Sequence, residues 1–390
     1  MGELRKKKAV TLETFVFLAL LFGGLGYMSY MMGLGILFTV IMKTAHALLL
    51  DTVFFILAIA VLAGALSALL SEFGVVALIN YLISPIMRPL YGLPGAASIG
   101  AITTYLSDNP AIISLAKDKS FSKYFRNYEI PTLCNLGTAF GMGLVLTTFM
   151  IGQSLDGSFF IPALIGNIGA IIGSIVSVKL MLRYTKKYYN ISTEDYKSHL
   201  KEKDVYHTMR EIRPGNAFER GLEAILEGGK TGVEMGMAII PGVLSICTAV
   251  LILTFGPSVE NGIAVYKGVA FEGVAILPEL GKWINPLIQP LFGFTSPEAL
   301  AFPITSLGAV GAAMALIPKF LKEGLIGPND IAVFTAMGMC WSGYLSTHVG
   351  MMDTLGVRKL VNKAIFSHTI GGIAAGVSAH YLFVLVSLFI

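Results

Sequence analysis

The sequence predicts an all-α polytopic membrane protein of about seven full spans, arranged as two inverted repeats that each carry a re-entrant helical hairpin. Three observations predict it. First, 55% of the 390 residues are hydrophobic and only 13% are charged, with a mean hydropathy of +0.73; a soluble domain cannot bury that much apolar side chain. Second, positive charge is confined to a few loops. Third, an unusual segment occurs twice: ISPIMRPLYGL at 83–93 and INPLIQPLFGF at 284–294, a constant offset of 201.

A spanning helix needs ~20 mostly apolar residues. The runs that qualify are 13–32, 52–71, 130–152, 158–182, 231–254, 330–351 and 364–389. Segment 33–50 carries Lys43 and His46 and reads as an amphipathic helix at the interface, as does 214–230. Regions 73–116 and 284–318 are interrupted by Pro and Gly and read as hairpins that enter and leave on one side. Pro85, Pro89, Pro286 and Pro290 are expected to end or kink helices by removing a backbone donor. Gly92 and Gly293 then permit a turn. The organisation expected is 1–50 as first span and amphipathic helix, 51–182 as first repeat, 183–230 as basic linker and 231–390 as second repeat.

Arg5, Lys6, Lys7 and Lys8 precede the first span. Further clusters follow at Lys117, Lys119, Lys123 and Arg126, in 183–230 (among them Lys197, Lys201, Lys203, Arg210, Arg213 and Arg220), and at Arg358, Lys359 and Lys363. All fall on one side if the spans alternate, which predicts a cytoplasmic N-terminus in a bacterial or archaeal cytoplasmic membrane. The basic loop suits anionic lipid headgroups, and its admixture of Asp and Glu argues against nucleic acid. Cys134, Cys247 and Cys340 lie in apolar runs without paired or metal-ligand spacing, so neither a disulfide framework nor a metal site is expected.

Over 83–115 and 284–316, nine of 33 aligned positions are identical: Ile83, Pro85, Pro89, Leu90, Gly92, Thr104, Leu106, Ala111 and Leu115 with their partners. The register continues, with Gly137 opposite Gly338. An odd number of spans between the copies gives them opposite orientations, a pattern of transporters with broken helices at the midplane.

Segments 51–152 and 231–353, with the lead-in AFERGLEAILEGGKTGVEMG, resemble the gate-domain family, also called nucleoside-recognition domain proteins. That family includes spore-maturation proteins A and B and the gate segments of ferrous-iron and concentrative nucleoside transporters. The resemblance covers about three quarters of the chain and is one of Gly, Pro and apolar spacing. It implies paired hairpins and alternating-access movement of a small polar solute, with a nucleoside as the family's suggestion. The spore-maturation members imply the alternative, a non-transporting scaffold or assembly factor. No GxxxxGK[ST] occurs, so the iron-transporter arrangement is not reproduced.

The pointed stretch is TTYLSDNPAIIS, where Thr104, Ser107, Asp108 and Asn109 precede Pro110 inside the first hairpin. An ionisable residue at membrane depth is a functional candidate, against the plainer reading of a helix cap. The aligned Gly308, Ala309, Val310 and Gly311 are apolar, so a site here is expected to be asymmetric. Thr305 and Ser306 stand before that second tip. Further candidates are Asn135 in the third span, Glu298 at the start of the second hairpin's second arm, and Ser346 and His348 in the sixth span. Asn135 and His348 also suit simple packing roles. Ser346 and His348 lack a GxSxG turn, so no enzyme is expected. No cofactor or metal is expected. Sodium or a proton as coupling ion, and a homo-oligomer, are compatible with the pattern.

Overall fold

The computed structural model describes residues 8–154, 157–192, 194–195 and 212–389. Arg5, Lys6, Lys7, Lys197, Lys201, Lys203 and Arg210, on which part of the orientation argument rests, lie outside the described residues.

Helix α1 (Leu12–Met32) is apolar on every side and largely exposed, as suits a helix surrounded by lipid. Helix α2 (Leu34–Ala47) passes through a π-helical turn (Leu48–Val53) into α3 (Phe54–Glu72). Helix α4 (Val75–Tyr91) is followed by α5 (Ala97–Leu106), α6 (Pro110–Lys117) and the short α7 (Lys119–Ser122). Then come α8 (Thr132–Thr138), α9 (Gly143–Gly152) and the long α10 (Phe160–Tyr188).

The second half opens with α11 (Ala217–Ala238), α12 (Ile240–Gly242), a second π-helical turn (Val243–Cys247) and α13 (Thr248–Thr254). A small antiparallel hairpin, β1 (Ser258–Glu260) with β2 (Ile263–Val265), is inserted next. Helix α14 (Ile276–Phe292) leads to a 3-10 turn (Pro297–Leu300), α15 (Ala301–Ser306), α16 (Val310–Met314) and α17 (Ile317–Lys322). Helices α18 (Pro328–Trp341), α19 (Tyr344–Thr354) and α20 (Val361–Ser387) complete the chain. The offset of 201 joins α4 to α14 residue for residue, and also relates α8–α9 to α18–α19 and α10 to α20.

Six helical runs among the described residues are long and apolar enough to cross a membrane. Two of them correct the sequence reading. Segment 33–50 is not a helix separate from the span that follows: Leu34–Glu72 is one run of 39 residues. Lys43, which argued for the interface, donates from Nζ to the Gly268 carbonyl at 2.7 Å. Thr44 accepts the Phe271 N–H at 2.9 Å. Segment 214–230 likewise belongs to one 38-residue run, Ala217–Thr254.

These two runs lie side by side because small residues let their backbones meet. A methyl on Gly228 would stand 2.3 Å from the Gly64 carbonyl, and one on Gly232 2.3 Å from that of Ala60. Residue numbers rise along α11 as they fall along α3, so the pair is antiparallel. Helices α10 and α20 are also antiparallel, with Gly173 against the Gly371 carbonyl and Gly169 against that of Ala375.

The prolines are a further correction. Pro85 and Pro89 lie inside α4, and Pro286 and Pro290 inside α14. Four-residue spacing puts each pair on one helix face, so the missing donors fall along one side and the helix continues. Gly92 (φ 73°) and Gly293 (φ 62°) end these helices in the left-handed conformation, as a turn there requires. The prolines are therefore not the hairpin breaks. The breaks lie later, between α5 and α6 and between α15 and α16. Segments 130–152 and 330–351 are interrupted as well, at 139–142 and at Ser342–Gly343. The short helix α8 is buried at every residue, and α18 nearly so. The core is thus built around these broken segments.

Candidate functional site

The four breaks converge on one cavity of about 230 Å³. From the first half it is lined by Asp108, Asn109, Pro110 and Met142; from the second by Gly308, Ala309, Val310, Gly311, Ser342 and Gly343, with Ser346 and Thr347 from α19. Met235, Ala238, Ile239 and Gly242 of the long second-half run close one wall. Met142 and Gly343, 201 residues apart, both adopt the left-handed conformation, at φ 54° and 57°. That conformation is uncommon for a residue with a side chain, and Met142 holds it at the cavity wall.

Asp108 follows the last turn of α5. Its carboxylate accepts the Asn109 N–H at 2.7 Å, and no Lys, Arg or His lines the cavity among the described residues. Asn109 is 3% exposed. Its Nδ2 donates to the Ser342 carbonyl, tying the break of one half to the break of the other. That bond fixes the amide's orientation and leaves Oδ1 buried without a partner. Gly343 N–H in turn donates to Ser306 O at 3.2 Å. Each break exposes backbone groups that a continuous helix would pair, and these cross-links satisfy part of them.

Of the residues singled out in the sequence, Asp108, Asn109 and Ser346 reach this cavity. Thr104 and Thr305 do not line it: each donates from Oγ1 to its own helix, to Gly100 O at 2.9 Å and Ala301 O at 2.7 Å. Ser107 does the same to Thr103 O at 2.6 Å and Ser306 to Pro303 O at 2.8 Å. Asn135 is fully buried away from the cavity, where Nδ2 donates to Ser177 Oγ and Ala364 O, both at 3.0 Å. Glu298 faces a different cavity with Glu279, Lys282 and Glu323. His348 turns from the cavity into the core. Its Nδ1 donates to Tyr344 O at 2.8 Å, and its ring lies 4.8 Å from that of His368.

His368 anchors a buried polar chain. Asn135 donates to Ser177, whose hydroxyl then donates to His368 Nδ1 at 2.9 Å, and His368 Nε2 donates to the Cys340 carbonyl. The polarity follows from the ends, since Nδ2 only donates and a carbonyl only accepts. This chain ends on the buried Cys340 carbonyl beside the α18–α19 break.

Sequence reasoning missed Met142, Gly343 and the wall from Met235 to Gly242. The only advance signals were the Gly-Met-Gly at 141–143 and the Pro-Gly at 241–242, both inside runs otherwise apolar.

No family model matches the chain. No curated protein matches it. Solved structures of CNTnw, a concentrative nucleoside transporter, are similar to it. A singly substituted CNTnw in an intermediate 3 state matches with a TM-score of 0.51 and 16% identity, over 96% of this chain and 83% of that one. A doubly substituted CNTnw in an outward-facing state matches with a TM-score of 0.50 and 16% identity, over 96% and 92%. The intermediate 2 state of the singly substituted protein matches at 0.50 and 16%, over 94% and 83%. This is a likeness of fold. Together with the six apolar runs it makes the chain a multi-pass membrane protein.

Proposed function

We propose that the protein is a secondary transporter of a small polar solute, working by alternating access at the cavity where the four helix breaks meet. One observation carries this. Two breaks from each half, related by the offset of 201, line one and the same cavity. Broken backbone at membrane depth is tolerated where it lines a wet cavity, and inverted repeats place such breaks at the solute site. The antiparallel packing of α3 with α11 and of α10 with α20 supports inverted repeats, and the positive-charge bias of the loops supports a cytoplasmic N-terminus. The resemblance to the gate-domain family supports the same reading, and the fold likeness makes nucleosides the first solutes to test. The scaffold alternative has no observation in its favour.

Asp108, Asn109, Ser346 and Thr347 would contact the solute, and Asn109 would also hold the two breaks in register. A cysteine at Ala309 tests the mechanism. In vesicles of both orientations a membrane-impermeant thiol reagent should label it from either side, in proportions that shift with the solute gradient. Labelling from one side only, under all conditions, would overturn alternating access.

A further inference from the structure

The cavity is lined by one carboxylate and by no basic side chain among the described residues. Asp108 contributes the charge, while Ser346 and Thr347 contribute hydroxyls and Met142, Ile239 and Val310 contribute apolar wall. Asp108 forms no ion pair with a basic side chain among the described residues, and its recorded partner is the Asn109 N–H. Helix N-termini at Asn109–Pro110 (α6), Met142 (α9) and Gly343 (α19) also reach the cavity, but they bring partial charges of about half an elementary charge at most, and Asp108 is the one full charge in the lining among the described residues. An anionic solute would meet an uncompensated carboxylate in a partly desolvated space, which is costly.

We infer that the solute is a small organic cation, whose ammonium group pairs with Asp108 while its carbon skeleton lies on the methionine and branched aliphatic wall. This rests on the reading of the cavity as the solute site. It narrows that reading to a charge class and excludes phosphorylated and carboxylate solutes. The apolar second tip fits it: Ala309 and Val310 leave room for a skeleton where a second polar tip would demand more hydrogen bonds.

The full chain with Ser346→Cys, purified in detergent, tests this. The three native cysteines are buried, so the new thiol should dominate the reaction. Its rates are measured with trimethylammonioethyl and sulfonatoethyl methanethiosulfonate, relative to a free small thiol. The cationic reagent should be favoured by about tenfold, as a charged cleft concentrates counter-ions. The preference should fall to within about twofold on adding Asp108→Asn, and should reappear with Ala309→Asp in that background. n-Butylammonium chloride should protect the thiol, whereas sodium chloride, sodium butyrate and uridine at the same concentration should not. No cationic preference, or no protection by n-butylammonium, overturns the cation inference and leaves the transport reading standing. Equal protection by sodium chloride overturns the organic part. Protection by uridine alone shows a neutral solute. A thiol that neither reagent reaches overturns the cavity reading itself, and the inference with it. If Asp108→Asn does not stay monodisperse, Ala309→Asp alone serves, since it should raise the preference further.

Discussion

The two hairpin tips occupy equivalent places in the fold and have opposite chemistry. Residues 107–110 read Ser-Asp-Asn-Pro, and residues 308–311 read Gly-Ala-Val-Gly. Both break a helix and both reach the same cavity. One brings a carboxylate and a buried amide that reaches across to Ser342; the other brings close-packed backbone and small apolar side chains. The duplication preserved backbone geometry, which the fold needs twice, and let the side chains diverge, because one ligand needs one set of contacts.

The largest effect should come from erasing the difference at its centre. Asp108→Asn keeps the shape and removes the charge. It should weaken n-butylammonium binding by more than tenfold, over 1.4 kcal/mol, while the protein remains monodisperse. A thermal-shift titration of both proteins reads this directly. Binding unchanged by Asp108→Asn would mean that the tips differ for packing reasons alone.

The repeat was legible because insertions and deletions had not blurred it: Pro85, Pro89 and Gly92 recur at one offset, and that offset also predicts the bounds of α14. Asp108 was legible as an isolated acid in an apolar run. Other features could not be read along the chain. The partner of Lys43 could not be read because Gly268 lies 225 residues away. The prolines looked like breaks because one-residue rules do not register that four-residue spacing keeps them on one face. His348 and Ser346 are two residues apart, yet a helix turns them to opposite sides, one to the core and one to the cavity. Which side faces the cavity is set by His368 and Tyr344 packing, which is tertiary information.

The next effect separates two polar residues of the same tip. Asn109 bonds across the halves, whereas Ser107 bonds back to Thr103. Asn109→Ala strands a buried carbonyl at Ser342 and should cost about 1–3 kcal/mol of stability. Ser107→Ala removes a local bond from a carbonyl in its own helix and should cost less than about 0.5 kcal/mol. Denaturation midpoints for the pair check this ordering. Equal losses would mean that the cross-link between halves contributes nothing.

A third contrast lies where the halves differ in length. Helices α3 and α4 are joined by Phe73 and Gly74, whereas α13 and α14 are separated by residues 255–275 with the β-hairpin. Glu272 holds that insertion together. Its carboxylate accepts Ser258 Oγ at 2.6 Å and the N–H groups of Lys267, Gly268 and Val269 at 2.9–3.3 Å. Burial pushes its pKa up, but these hydrogen bonds outweigh burial and hold it below the ordinary 4.5. A depressed folded pKa contributes stability that is present above the unfolded value and lost as pH falls through the folded one. Glu272→Gln should therefore cost about 2 kcal/mol at pH 7, and the gap to the parent should close in acid below the ordinary carboxylate value. Melting curves from pH 7 downward should show the two converging; a gap independent of pH would refute the charge-assisted account.

The smallest effect should come from the polar pair that the duplication kept identical within the two hairpins. Thr104 and Thr305 are 201 residues apart, both buried, and both donate to the carbonyl four residues earlier in their own helices. A hydroxyl used this way satisfies itself locally and asks for no solute. Valine has nearly the same shape, and the carbonyl it abandons keeps its place in the helix. Thr104→Val and Thr305→Val should each cost less than about 1 kcal/mol, by similar amounts, and leave n-butylammonium binding unchanged. A binding loss confined to Thr104→Val would place that hydroxyl in the solute site and extend the asymmetry of the tips a full turn into α5. Equal silence in both variants would confine the asymmetry to the four residues of each tip, where the carboxylate is.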